Sequence, residues 1–118
     1  MYKIIDTHCD TASQLLDRNR KLHKNDCMVD VEGMKRYDCY VQFFAAFVCK
    51  SFKNPMLRAV ELLDKAKQEI LKNDIKLILD SSDLNYVIDN NLCGAILSIE
   101  DARALCGELA SLRFFYDY

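Results

Sequence analysis

Two stretches of this chain, residues 40–49 and 93–99, are apolar at nearly every position. A strand with one wet face alternates apolar and polar side chains, so a continuous apolar run needs cover on both sides. Helices give a parallel sheet that cover, which narrows the fold class at once. Residues 2–6 and 75–79 are two further apolar runs of strand length.

Helical segments separate these runs. Asn54-Pro55 combines a good N-cap with proline at the first helical position. From there Leu57, Val60, Leu63, Ala66, Ile70 and Leu71 recur at helical spacing, as far as residues 72–73. Residues 82–90 read as a shorter helix with Leu84 and Val87 on one side. A last helix is expected to begin near Ala102 and to carry Leu105, Leu109, Leu112 and Phe115. Residues 17–26 are polar and irregular and read as a loop. Strands alternating with helices imply right-handed βαβ units and an α/β fold.

At 118 residues the chain reads as one domain, 1–118. Net charge is −2 and no basic run is long enough for nucleic acid, so no such partner is expected. No apolar stretch approaches the length of a membrane span, and the start lacks the apolar core of a secretory signal. None of the six cysteines (Cys9, Cys27, Cys39, Cys49, Cys93 and Cys106) forms a C-x-x-C pair, and Cys49 and Cys93 stand at apolar strand ends. Buried free thiols and a cytoplasmic location are therefore expected. The chain closes on Leu112-Arg113-Phe114-Phe115-Tyr116-Asp117-Tyr118, with no glycine cap or polar tail. Either this helix docks its aromatics on its own core, or the chain stops before its fold does. Four strands are half of an eight-stranded barrel, and such barrels take about 250 residues.

The residues with chemistry cluster at strand ends. His8 and Asp10 lie two apart just past the first strand and would share a face, with Cys9 turned to the other. An imidazole and a carboxylate fixed side by side can make half of a metal site. The plainer reading has Asp10 capping a helix over residues 11–17. Glu100 ends the run Gly94-Ala95-Ile96-Leu97-Ser98-Ile99 and would stand at the same end of a parallel sheet. Its two oxygens could bridge two cations, or it could simply favour the N-terminus of the final helix. Asp6 shares the parity of His8 and could support the ligands from behind. Gln42, polar inside an apolar strand, reads either as an interior group near the site or as a hydrogen-bonded structural amide. His23 reads as solvated surface. No Ser–His–Asp arrangement, phosphate loop or nucleotide fingerprint is present, and three glycines leave little scope for one.

Three blocks together carry a family resemblance: Ile4-Ile5-Asp6-Thr7-His8-Cys9-Asp10-Thr11, Val41-Gln42-Phe43-Phe44-Ala45-Ala46-Phe47-Val48, and Ala95-Ile96-Leu97-Ser98-Ile99-Glu100 with residues 109–118 after it. In order and separation they resemble the membrane (renal) dipeptidase family of zinc peptidases. The resemblance implies the N-terminal part, about four β/α units, of a TIM-like (β/α)8 barrel of the amidohydrolase type. It implies two zinc ions in the intact barrel, one bound by His8 and Asp10, with Glu100 bridging both. It also implies dipeptide hydrolysis through a metal-bound hydroxide. The family usually has glycines directly after the bridging glutamate, where this chain has Asp101-Ala102.

Only two histidines are present, so the family's later histidine ligands have no counterpart here. The chain is accordingly expected to be an inactive fragment holding zero or one zinc. Its open sheet edges, at residues 2–6 and 93–99, are expected to drive homo-oligomerisation or pairing with a missing C-terminal part. The competing expectation is a complete small α/β interaction module, in which Glu100 would lie far from His8.

Overall fold

The structure, a computed structural model, describes residues 2–118. Strand β2, Cys39–Phe47, is central in the sequence's apolar pattern and in the sheet. It pairs in parallel with β1, Lys3–Cys9, on one side and with β4, Cys93–Glu100, on the other. The short β3, Lys76–Leu77, completes a four-stranded parallel sheet. The α/β class expected from the sequence is therefore present, as a sheet consistent with part of a (β/α) barrel.

The strand order is β1-β2-β4-β3. In a simple winding, β3 would separate β2 from β4. Instead it flanks β4 from outside, pairing only Lys76 with Gly94 and Leu77 with Ala95. Of the two open edges expected, that of β1 is present and that of β4 is so only in part. The outer edge of β1 has no ladder partner among the described residues, whereas β4 is covered at its beginning and loses its outer partner from Ile96 onward.

Helices cover both faces of β2, as its composition demands. On one face lie α1, Thr11–Asp17, α2, Val31–Met34, and α3, Pro55–Leu71. Phe44 packs there with Leu15, Val31, Met34 and Ile70, while Ala46 and Val48 meet Ala59, Leu62 and Leu63 of α3. The N-cap foreseen for α3 is made: Asn54 accepts the Leu57 N–H at 3.1 Å, with Pro55 in the first turn. Removing a side chain such as fully buried Leu62 leaves a cavity of the kind that costs about 2–5 kcal/mol.

On the opposite face α4, Ser81–Asp89, covers only the lower part of the sheet, where Val87 and Ile78 pack on Cys39 and Val41. Gly94 stands opposite Val41 and permits this approach. A Cβ there would lie 2.6 Å from Ile78 Cδ1 and 3.2 Å from Val87 Cγ1.

Two elements depart from the sequence reading. The short α2 was not foreseen; its signal is Asp30, whose carboxylate accepts the Gly33 N–H at 2.7 Å as an N-cap. The last helix does not begin near Ala102. Arg103–Leu105 forms a 3-10 turn, Cys106 and Gly107 take positive φ of 54° and 75°, and α5 spans Leu109–Tyr116. Phe115 and Tyr118 pack toward the α3 cluster, but Leu109, Leu112, Phe114 and Tyr116 stay exposed. All six cysteines are free, with Cys9, Cys39 and Cys93 buried, Cys27 and Cys49 half-buried and Cys106 exposed.

The loop at residues 17–26 is irregular, yet it is tied to the core. Leu22 is fully buried and its N–H donates to Glu69 Oε2 at 2.9 Å. Glu69 is itself buried and also meets Lys65 Nζ at 3.1 Å and Lys72 Nζ at 3.6 Å. Burial alone would push its pKa up. The Leu22 N–H and the two ammonium groups outweigh that and hold the carboxyl below the usual glutamate range. Its stabilisation is therefore present above the unfolded value, about pH 4.3, and is lost as pH falls through the lower folded value. Glu69→Ala should cost about 3 kcal/mol at neutral pH by chemical denaturation, because it strands buried donors. The loss should shrink in acid; equal losses at pH 7 and at pH 3 would contradict this role.

Candidate metal centre

The site begins with an irregularity in β1. Asp6 pairs with Gln42 and Cys9 with Phe44, so three steps along β1 match two along β2. This is a β-bulge, which places one extra residue on the bulged strand and re-aims its side chains. Cys9 follows Phe44 into the helix-covered core, where burial pushes its thiol pKa up. His8, the residue before it, faces the other way.

The bulge also separates Asp6 from His8, which strict alternation had placed on one face. Asp6 sides with Gln42 instead. Its carboxylate accepts the His8 backbone N–H at 3.1 Å and the Tyr40 hydroxyl at 3.4 Å. Gln42 is fully buried, and its amide donates to the carbonyls of Asp6 at 3.3 Å and Phe43 at 3.1 Å, while Oε1 has no partner among the described residues. Both residues thus hold the main chain of the bulge rather than touching the imidazole.

Asp10 occupies the N-cap position of α1 without acting as a cap. Its side chain makes no capping hydrogen bond, and its backbone carbonyl accepts from Ser13 Oγ at 2.9 Å. The carboxylate turns back, placing Oδ1 3.3 Å from His8 Nε2. Glu100, the last residue of β4, lies opposite Phe47 and brings Oε2 to 3.2 Å from the same nitrogen. Since α5 starts nine residues further on, Glu100 is not at its N-terminus. Residues 92 positions apart in sequence therefore converge at the C-terminal end of the parallel strands, the end where barrel enzymes build their sites.

An imidazole bound to a single carboxylate by a charge-assisted hydrogen bond shows N–O distances of about 2.7–2.9 Å, shorter than both separations here. Tetrahedral zinc with bonds of about 2.0–2.1 Å has ligand–ligand edges of about 3.3–3.4 Å. The separations of 3.3 and 3.2 Å match such edges, and ligand atoms of all three residues lie within 4.8 Å of one another. One imidazole and two carboxylates also neutralise a dication. The donor set thus fits zinc, and the side chains, each about half exposed, leave the centre open to solvent.

The other candidates stay apart. His23 is exposed and lies 3.7 Å from Glu32 Oε1, away from the centre. Asp101 has φ of 69°, in the left-handed region, and aspartate is one of the few side chains that tolerate it. The Ser51 hydroxyl, 2.8 Å from Cys49 Sγ, draws that thiol's pKa down. Proximity in the fold, not spacing in the sequence, is what would have revealed Asp6 and Gln42 as supports of the bulge.

The model of the membrane dipeptidase family, peptidase family M19, matches residues 1–118. No curated protein matches the sequence closely enough to count as a relative.

Asp10 can be tested apart from any metal. A capping aspartate loses about 1 kcal/mol on replacement by alanine, whereas a surface side chain outside such a role changes stability by less than about 0.5 kcal/mol. Asp10→Ala in the metal-free chain should fall in the second range by urea denaturation. A loss near the first would return Asp10 to the role of helix cap.

Proposed function

We propose, from the premise that this chain belongs to the membrane dipeptidase family, that it carries the N-terminal share of a zinc dipeptidase centre. The family is one of peptidases, hydrolases acting on dipeptides. On this reading His8 and Asp10 hold one zinc ion and Glu100 bridges toward a second. Zinc bound there would polarise a scissile carbonyl and lower the pKa of the attacking water. His8 supplies a neutral donor whose position is set by the Asp6-braced bulge. Asp10 and Glu100 balance the charge, and the open strand ends admit a small substrate. The observation carrying the proposal is the convergence of two carboxylates, one from each end of the chain, on His8 Nε2 at 3.3 and 3.2 Å.

On the same reading, residues 1–118 are one domain, an N-terminal half-barrel that does not catalyse alone. Three ligands make a half-site, and His23 is too far away to extend it. Two features support completion by another polypeptide, in a homo-oligomer or with a C-terminal part. One is the edge of β1, together with that of β4 beyond Ala95, both without a ladder partner among the described residues. The other is an apolar cavity of about 640 Å³ beside that part of β4, walled by Leu79, Ile96, Ile99, Leu112 and Tyr116. An interaction module that folds by self-association would use the same edge. No helix among the described residues is long and apolar enough to cross a membrane. The free thiols favour a reducing compartment, which we take to be the cytoplasm.

Purified chain loaded with zinc should hydrolyse dipeptides no faster than its Glu100→Gln variant, and should bind at most one zinc ion per chain by elemental analysis. Light scattering at micromolar concentration should report an oligomer. Hydrolysis abolished by Glu100→Gln would show that the chain is a competent enzyme by itself, and a stable monomer would remove the association.

A further inference from the structure

We propose that Arg103 is a positioning residue for Glu100, acting through a clamp that joins the ends of β4 and β2. The inference rests on the metal-centre reading above, because it concerns what holds one of the three ligands in place. Glu100 is the last residue of β4 in register, paired with Phe47. On its N-terminal side the parallel ladder fixes its backbone. On its C-terminal side the chain turns at once through Asp101, at φ of 69°. This region favours glycine; aspartate tolerates it, and its short side chain can secure the turn through local hydrogen bonds.

Arg103 supplies them. Its backbone N–H donates to Asp101 Oδ1 at 2.6 Å, and its Nη1 donates to Asp101 Oδ2 at 3.2 Å. The same Nη1 reaches the carbonyl of Val48 at 3.0 Å. Val48 is the residue after Phe47, so the guanidinium ties the exit of β2 to the turn that immediately follows Glu100. The next residue, Ala104, is fully buried against the α3 cluster and anchors the clamp to the core. A glycine after the glutamate would permit the turn without favouring it. The aspartate with Arg103 gives the turn a single bonded form, which restricts where Glu100 can place its carboxylate relative to His8.

The test compares wild type, Arg103→Ala, Arg103→Lys, Asp101→Gly and Glu100→Gln for Co2+ affinity by titration of the visible absorption, alongside thermal midpoints. Arg103→Ala should weaken Co2+ binding at least about tenfold without a matching fall in midpoint, and Arg103→Lys should recover part of the loss. Asp101→Gly should weaken binding too, although glycine suits the turn. Arg103→Ala binding Co2+ as tightly as wild type would overturn the proposal, as would a loss explained wholly by unfolding. If wild type and Glu100→Gln both fail to bind, the metal-centre reading falls by itself. The clamp is then judged by hydrogen exchange in the metal-free chain. There the Arg103 amide should exchange about tenfold or more faster in Asp101→Gly, and unchanged exchange would overturn it.

Discussion

The parallel ladder of β2 sets the height of every group at the candidate centre. β2 pairs with β1 on one side and β4 on the other, and each pairing fixes how far the neighbour's last side chain stands above the sheet. Register is held because β2 is buried on both faces, so a slip of one residue would exchange its two packed surfaces. Phe44 and Ala46 pack on the side of α1 and α3, and Val41 on the side of α4. Glu100 owes its place to Phe47, and His8 to the bulge between the pairs Asp6–Gln42 and Cys9–Phe44.

That bulge is where local polarity prevails over strand regularity. Without it, Cys9 and His8 could not respectively reach the core and the open rim while Asp6 remains beside Gln42. The Asp6 carboxylate satisfies the displaced His8 N–H, and Gln42 satisfies the Asp6 carbonyl. A buried amide at this point therefore serves the backbone of the segment that carries His8. The cost is the Gln42 Oε1, left without a partner among the described residues.

Much of the fold was legible because it follows from patterns of few residues. Apolar runs marked the strands, and Asn54-Pro55 marked the start of α3. The convergence of His8, Asp10 and Glu100 was legible too, since parallel strands place their C-terminal ends together. Other features depended on contacts that a linear pattern does not contain. The parity of Asp6 changed because one extra residue fits between β1 and β2. β3 lies outside β4, where Ile78 and Val87 fill the space over Gly94. The late start of α5 depends on Cys106 and Gly107 taking positive φ, which the apolar spacing from Leu105 to Leu112 conceals. The short α2 escaped because four residues are too few to show a period.

The chain has six thiols, and zinc binds thiolate readily, so the identity of the donor atoms is the sharpest question about the centre. X-ray absorption at the zinc edge of the loaded chain answers it directly. Zinc held by His8, Asp10 and Glu100 gives a shell of nitrogen and oxygen at about 2.0–2.2 Å, with imidazole scattering that disappears in His8→Ala. A sulfur shell at about 2.3 Å, or an imidazole signal that survives in His8→Ala, would contradict it.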